Sequence, residues 1–168
     1  MTRRVLVAGI GNIFLGDDGF GVEVVGRLAR RPLPEGVKVV DFGIRGVHLS
    51  YELLDGYDAL ILIDALPTGE PPGTLVVLEP AAVPPPDQGD DPGPVIDAHS
   101  MNPGVVLGML AEMGGVVDRI FVVGCEPANV DEGIGLSQPV ADAIDGAVEL
   151  CSQLVADLFA PSAKEIRE

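Results

Sequence analysis

The chain has 168 residues, of which 47% are apolar, and a formal net charge of −16. That length fits one ordinary domain with a real core, and the apolar fraction excludes a disordered chain. The acidity argues against nucleic acid and anionic membrane surfaces as partners, because both would repel it; simple solubility is the plainer meaning of the charge.

With no Trp and few aromatics, the core must be aliphatic. The opening MTRRVLVAGIGN runs from two arginines through a short apolar stretch straight into a glycine turn. A secretory leader needs a longer apolar stretch and a small-residue cleavage site, so residues 4–8 are predicted as a first strand. A helix follows over 19–31, with Phe20, Val22, Val24, Val25 and Leu28 on its apolar side. The β-branched run 37–40 predicts a second strand. A short helix over 47–54 turns Leu49, Leu53 and Leu54 inward. The third and fourth strands fall at 59–63 and 74–78. The link between them is too short for a crossover helix, so the fourth strand is expected to be antiparallel and at or near an edge.

The stretch 79–94, EPAAVPPPDQGDDPGP, is too rich in Pro, Gly and Asp for a helix or central strand. It is expected as a flexible surface loop, placed before His99 as a flap or as an inert connection. A helix over 102–113 has Asn102 as N-cap and Pro103 at its first position. The fifth strand is predicted at 120–123. The last helix spans 137–159, with Ser137 as N-cap and Val140, Ile144, Val148, Cys151, Val155 and Leu158 at helical spacing. Residues 161–168 form a frayed tail. Near-continuous apolar strands alternating with helices predict a single domain over 1–160. Its fold class is α/β: a three-layer α/β/α sandwich around a five-stranded, mostly parallel twisted sheet, with helices on both faces.

The two cysteines, Cys125 and Cys151, match no zinc or redox spacing and are expected as small core residues. No segment is long and apolar enough to span a bilayer, and the cytoplasm is the expected location.

Three acids follow or close the apolar runs: Asp18 in GNIFLGDDGFG, Asp41 in VVDFGIRG and Asp64 in LILIDA. In an open α/β sheet, groups at the carboxyl ends of neighbouring strands meet in one crevice. Acids gathered there repel one another unless a cation, a proton or a substrate group offsets them. Taken singly, each acid fits a cap or a turn, and His99 in DAHSMNP fits an exposed loop histidine. His48 lies in a helical stretch and is expected to be structural or exposed. In combination, Asp18, Asp64 and His99 make a mixed oxygen and nitrogen set. Such a set suits nickel, zinc or cobalt over calcium or magnesium, and it leaves coordination positions open. Of the adjacent pair at the helix start, Asp17 is expected to cap the helix and Asp18 to function.

Strand, glycine turn and helix also form the grammar of a dinucleotide site, with Asp41 as the ribose-binding acid of an NAD-dependent oxidoreductase. The spacing Gly9, Gly11, Gly16 misses GxGxxG. Asp17 and Asp18 would also repel a pyrophosphate at the helix start. No serine or cysteine nucleophile stands out: Cys125 has no histidine beside it in sequence, and Ser100 lacks an elbow context.

Together these motifs resemble the [NiFe]-hydrogenase maturation endopeptidases over nearly the whole chain. The residues that carry the likeness are GIGNIFLGDDGFGVEVV, DFGIRG, LIDA, HSMNP and VVGCEP with the following GIGLS. The resemblance implies an endopeptidase that removes a C-terminal extension from the hydrogenase large-subunit precursor after nickel insertion, with nickel as the recognition element. It implies Asp18, Asp64 and His99 as the metal-contacting set and Asp41 as a further catalytic acid. It places the enzyme with the aspartic-type peptidases. Nickel is expected to arrive with the substrate, other divalent metals can occupy the site, and the enzyme is expected to be a monomer. Two departures bear on substrate choice. Asp18 stands where many members carry Glu, and Asp41-Phe42-Gly43-Ile44-Arg45-Gly46 replaces a DGGT-like motif. Arg45 is expected either to receive a substrate carboxylate or to pair with a local Asp. The same ligands would also serve a nickel-binding checkpoint or chaperone protein that cuts nothing.

Overall fold

The structure is a computed structural model that describes residues 3–79, 108, 114 and 117–160. His99, the loop residues 80–94, the predicted helix 102–113 apart from Gly108, and the tail 161–168 lie outside the described residues.

Five strands form one sheet: β1 (Val5–Ile10), β2 (Val37–Gly43), β3 (Ala59–Ala65), β4 (Leu75–Leu78) and β5 (Arg119–Cys125), in the order β2-β1-β3-β5-β4. β2, β1, β3 and β5 run parallel, and β4 is antiparallel at the edge, as the short link predicts. Its partner is β5, so the fourth strand stands two places away from the third. Every residue of β1 and β3 is buried. Strands covered on both faces can be apolar throughout, and VLVAGI and ALILIDA are so apart from Asp64.

Successive side chains of these strands feed two cores. Val5, Val7, Ile61 and Ile63 pack with the helices α1 (Phe20–Leu28) and α3 (Gln138–Phe159). Leu6, Ala8, Leu60 and Leu62 pack on the other face with Leu49 and Leu53 of α2 (Gly46–Leu53). The predicted helical stripe of α3 is the buried one, from Val140 to Leu158. A surface ion pair of 3.0 Å, Arg27 to Asp145, joins α1 to α3; exposed as it is, it contributes little. No described helix is long and apolar enough to cross a membrane.

Two glycines set how closely α1 approaches the sheet. A Cβ on Gly21 would lie 2.2 Å from the Ile63 carbonyl oxygen and 2.5 Å from that of Ile10. A Cβ on Gly9 would lie 2.5 Å from the carbonyl oxygen of Gly21. The first turn of the helix therefore rests directly on the backbones of β1 and β3. Gly21→Ala should force the helix off the sheet and cost about 3 kcal/mol or more. A denaturant midpoint measured by circular dichroism checks this; an unchanged midpoint would contradict the packing described.

Candidate active site

The chain leaves β1 on one side for β2 and returns to its other side for β3, so the direction of winding reverses at β1 and β3. In open α/β sheets, ligands bind beyond the carboxyl ends of the strands at such a reversal. A 3-10 turn, Gly16–Gly19, carries Asp18 just after β1, and Asp64 is the penultimate residue of β3.

Asp64 is only 6% exposed. Burial, and then the neighbouring charge of Asp18, push its carboxyl well above the usual carboxylate range; the N–H of Ala65 offsets this in part. Asp18 is half-buried and accepts the N–H of Asn12 on Oδ2 at 2.7 Å. Gly11 makes room for it: at φ +138°, a Cβ there would lie 1.9 Å from the Asp18 carbonyl oxygen. A buried carboxyl repelled by a second one is a site that a cation or a proton would relieve. The expectation that these two acids meet holds.

Asp41 pairs with Gly9 on one side of β1, while Ile63 pairs with Gly9 on the other. Two strand spacings thus separate Asp41 from the Asp64 region, roughly 10 Å between backbones. Asp41 is exposed near the carboxyl end of β2. Arg45 pairs with backbone carbonyls and not with a local Asp carboxylate. Its Nη2 donates to the Asp41 carbonyl at 2.8 Å and its Nε to the Phe42 carbonyl at 3.2 Å, which braces the end of β2. His48 is exposed on α2. Among the described residues, no three His, Cys, Asp or Glu side chains gather to hold a metal. The structure therefore brings Asp18 and Asp64 together and sets Asp41 beyond β1, while His99 falls outside the described residues.

Asp17 does not cap its helix. Neither the 3-10 turn nor α1 has a side-chain cap, and Asp17 is fully buried. Its carboxylate accepts the N–H groups of Ala128 (2.8 Å), Asn129 (3.0 Å) and Ser137 (2.6 Å), and the Ser137 hydroxyl (2.8 Å). Burial alone would raise its pKa, but the donors from Ser137, Ala128 and Asn129 outweigh it and hold the carboxyl below the usual range. Ser137 stands at the N-cap position of α3 as predicted, yet its hydroxyl serves Asp17 instead of the helix. Partners more than a hundred residues away leave no local signal, which is why capping looks sufficient in the sequence.

Glu126, within VVGCEP, is a third buried acid, and its role is not evident from the motif. It accepts the N–H groups of Thr68 (2.6 Å) and Gly69 (3.0 Å) and so ties down the link after β3. The signal was present: Glu126 follows the apolar run VVGC as Asp64 follows LILI. Cys125 and Cys151 are buried, as expected of core residues. Burial first, then Asp17 and Glu126, raise the Cys125 thiol to about 11, and burial raises Cys151 to about 12. Neither is a thiolate nucleophile at neutral pH.

A hydrogenase maturation protease family model matches residues 22–154. The chain belongs to the hydrogenase maturation protease family. It is 35% identical over 154 residues to the hydrogenase expression/formation protein HupD of Rhodobacter capsulatus, covering 87% of this chain and 68% of that one. It is 32% identical over 148 residues to the hydrogenase 2 maturation protease of Escherichia coli, covering 87% of each. Its fold matches the hydrogenase maturating endopeptidase HybD from E. coli with a TM-score of 0.77 and 30% identity, over 93% of this chain and 94% of that one. In this hydrogenase maturation protease the glycine turn after β1 therefore belongs to a protease. The dinucleotide grammar is shared only in outline.

Asp17→Asn should destabilise the maturation protease by about 3 kcal/mol, since an amide nitrogen would face N–H donors in a buried site. A carboxyl lowered in the folded state contributes stability above its unfolded pKa and loses it as pH falls through the folded value. Urea titrations should thus show the difference between wild type and variant in full at pH 7 and shrinking below the usual carboxylate range. Asp64→Asn should act oppositely. A raised carboxyl leaves stability intact below its unfolded pKa and erodes it as pH rises through the folded value. The variant should gain about 2–4 °C in melting temperature at pH 8, the shift that about 1 kcal/mol gives in a domain of this size. Calorimetry of the metal-free proteins checks both the sign and its pH dependence.

Proposed function

We propose that the protein cuts a C-terminal extension from a [NiFe]-hydrogenase large-subunit precursor and uses the nickel already inserted there to recognise it. The observation that carries this reading is the buried Asp64 carboxyl repelled by Asp18 at the carboxyl-end crevice. Such a pair is poorly satisfied by the protein alone and suits a cation brought in by the substrate. Asp18 and Asp64, with His99, would contact the precursor's nickel; other divalent ions can replace it. The ion's chemistry there is polarisation of the scissile carbonyl or of the attacking water.

The chain's own residues position and move protons. Asp41, or one of the two crevice carboxylates, accepts the proton of the attacking water as general base. Burial and the neighbouring charge of Asp18 favour the protonated form of Asp64 over the bare carboxylate until a cation offsets them. The absence of a thiolate at Cys125 supports water, not sulfur, as nucleophile. The assignment is to the aspartic-type peptidases, acting as a monomer in the cytoplasm.

Purified enzyme mixed with nickel-loaded and nickel-free precursor tests this, with the large-subunit mass read by mass spectrometry. Only the loaded precursor should lose its extension. His99→Ala and Asp64→Asn should each slow cleavage by about a hundredfold or more while remaining folded. Full-rate cleavage without nickel would remove metal recognition. Nickel binding with the precursor mass unchanged would indicate a checkpoint protein that does not cut.

A further inference from the structure

Beyond the carboxylates, the same end of the sheet exposes large apolar side chains on two loops. The loop after β1 carries Ile13 (45% exposed) and Phe14 (60%), and the loop after β5 carries Val130 (48%) and Ile134 (80%). Single exposed apolar residues are ordinary; grouped ones on a fixed support mark a contact surface.

This support is fixed. Gly16 donates its N–H to the Gly133 carbonyl and Gly133 returns its own to Phe14, both at 2.8 Å. Asp17 donates its N–H to Asn129 at 2.9 Å, and its carboxylate takes the four donors described above. The platform is also continuous with the crevice. β1 and β5 flank β3, so loops that pair after them meet across the end of β3, the strand that carries Asp64. Asn12, at the base of the first loop, donates directly to Asp18. Asp131 and Glu132, both exposed, edge the apolar tips on a chain of net charge −16.

We propose that Ile13, Phe14, Val130 and Ile134 form the docking surface that seats the precursor beside Asp18 and Asp64. It would take an apolar segment flanked by Lys or Arg, the flanking cations facing Asp131 and Glu132. This rests on the reading of the precursor as substrate. The surface acts on binding and not on the chemical step, because its side chains are apolar and carry no acid, base or metal-ligating group.

The test compares wild type with the full-length double variant Phe14→Ser/Ile134→Ser. Val77→Ser/Leu78→Ser on β4, also exposed, serves as control. Melting curves establish that each is folded. On nickel-loaded precursor, the first pair should raise KM at least tenfold with kcat within twofold, and the control should change neither. Asp131→Lys/Glu132→Lys should raise KM severalfold at low salt, with the difference fading at high salt. An unchanged KM in Phe14→Ser/Ile134→Ser would overturn the proposal. If wild type does not cut the precursor, the proposed function fails, and docking is read from precursor binding by biolayer interferometry. Weaker binding of the double variant then sustains the surface, whereas equal binding, or none by wild type, overturns it. A wild-type dimer that the double variant dissolves, with KM unchanged, would assign the surface to a second copy of the chain and overturn it too.

Discussion

Three backbone N–H groups and one hydroxyl from the segment 128–137 converge on the carboxylate of Asp17. A buried charge is tolerated only when donors replace the water it has lost, and here they do. The clamp fixes the turn after β1 against the loop after β5, and so fixes Asp18, the next residue along the chain. Remove the charge and, among the described residues, only backbone hydrogen bonds are left to join the two loops.

The neighbouring acids show how the same chemistry yields opposite results. Asp17 and Glu126 are buried and surrounded by N–H donors, and they hold structure together. Asp64 is buried beside another carboxylate, and its neutral form is favoured. The fold thus supplies hydrogen-bond donors to two buried acids and keeps a third in a state that only a proton or an outside cation relieves. Stability given up at one position inside an otherwise satisfied framework is the usual signature of a working site.

Much of this could be seen in the sequence. The strands at 59–63 and 4–8 were legible because both faces are covered, so ALILI runs apolar up to Asp64 and VLVA runs apolar from Val5 into the glycine turn. Asp18 and Asp64 could be paired in advance because parallel sheets bring their carboxyl ends together at a known place. The role of Asp17 was not legible, since its partners lie 111 to 120 residues away and are mostly backbone groups with no side-chain signature. Arg45 was equally opaque. An exposed arginine near an acid suggests an ion pair, whereas the guanidinium in fact bends back to carbonyls. Glu126 carries the same signal as Asp64, an acid that directly follows a buried run of the sheet.

The sheet order has a consequence for how the chain assembles. β5 occupies the slot between β3 and β4, although both precede it in sequence. Among the described residues β4 pairs with no other strand, so residues 75–78 have no described ladder to join until residues 119–125 have left the ribosome. Over that interval the apolar flank of β3 stays open along one side, and a nascent chain in this condition invites wrong pairing with its neighbours. Insertion of β5 closes the sheet, and the segment whose donors Asp17 requires follows directly after it in the chain. The clamp on Asp17 can close only after the segment that follows β5 has been made.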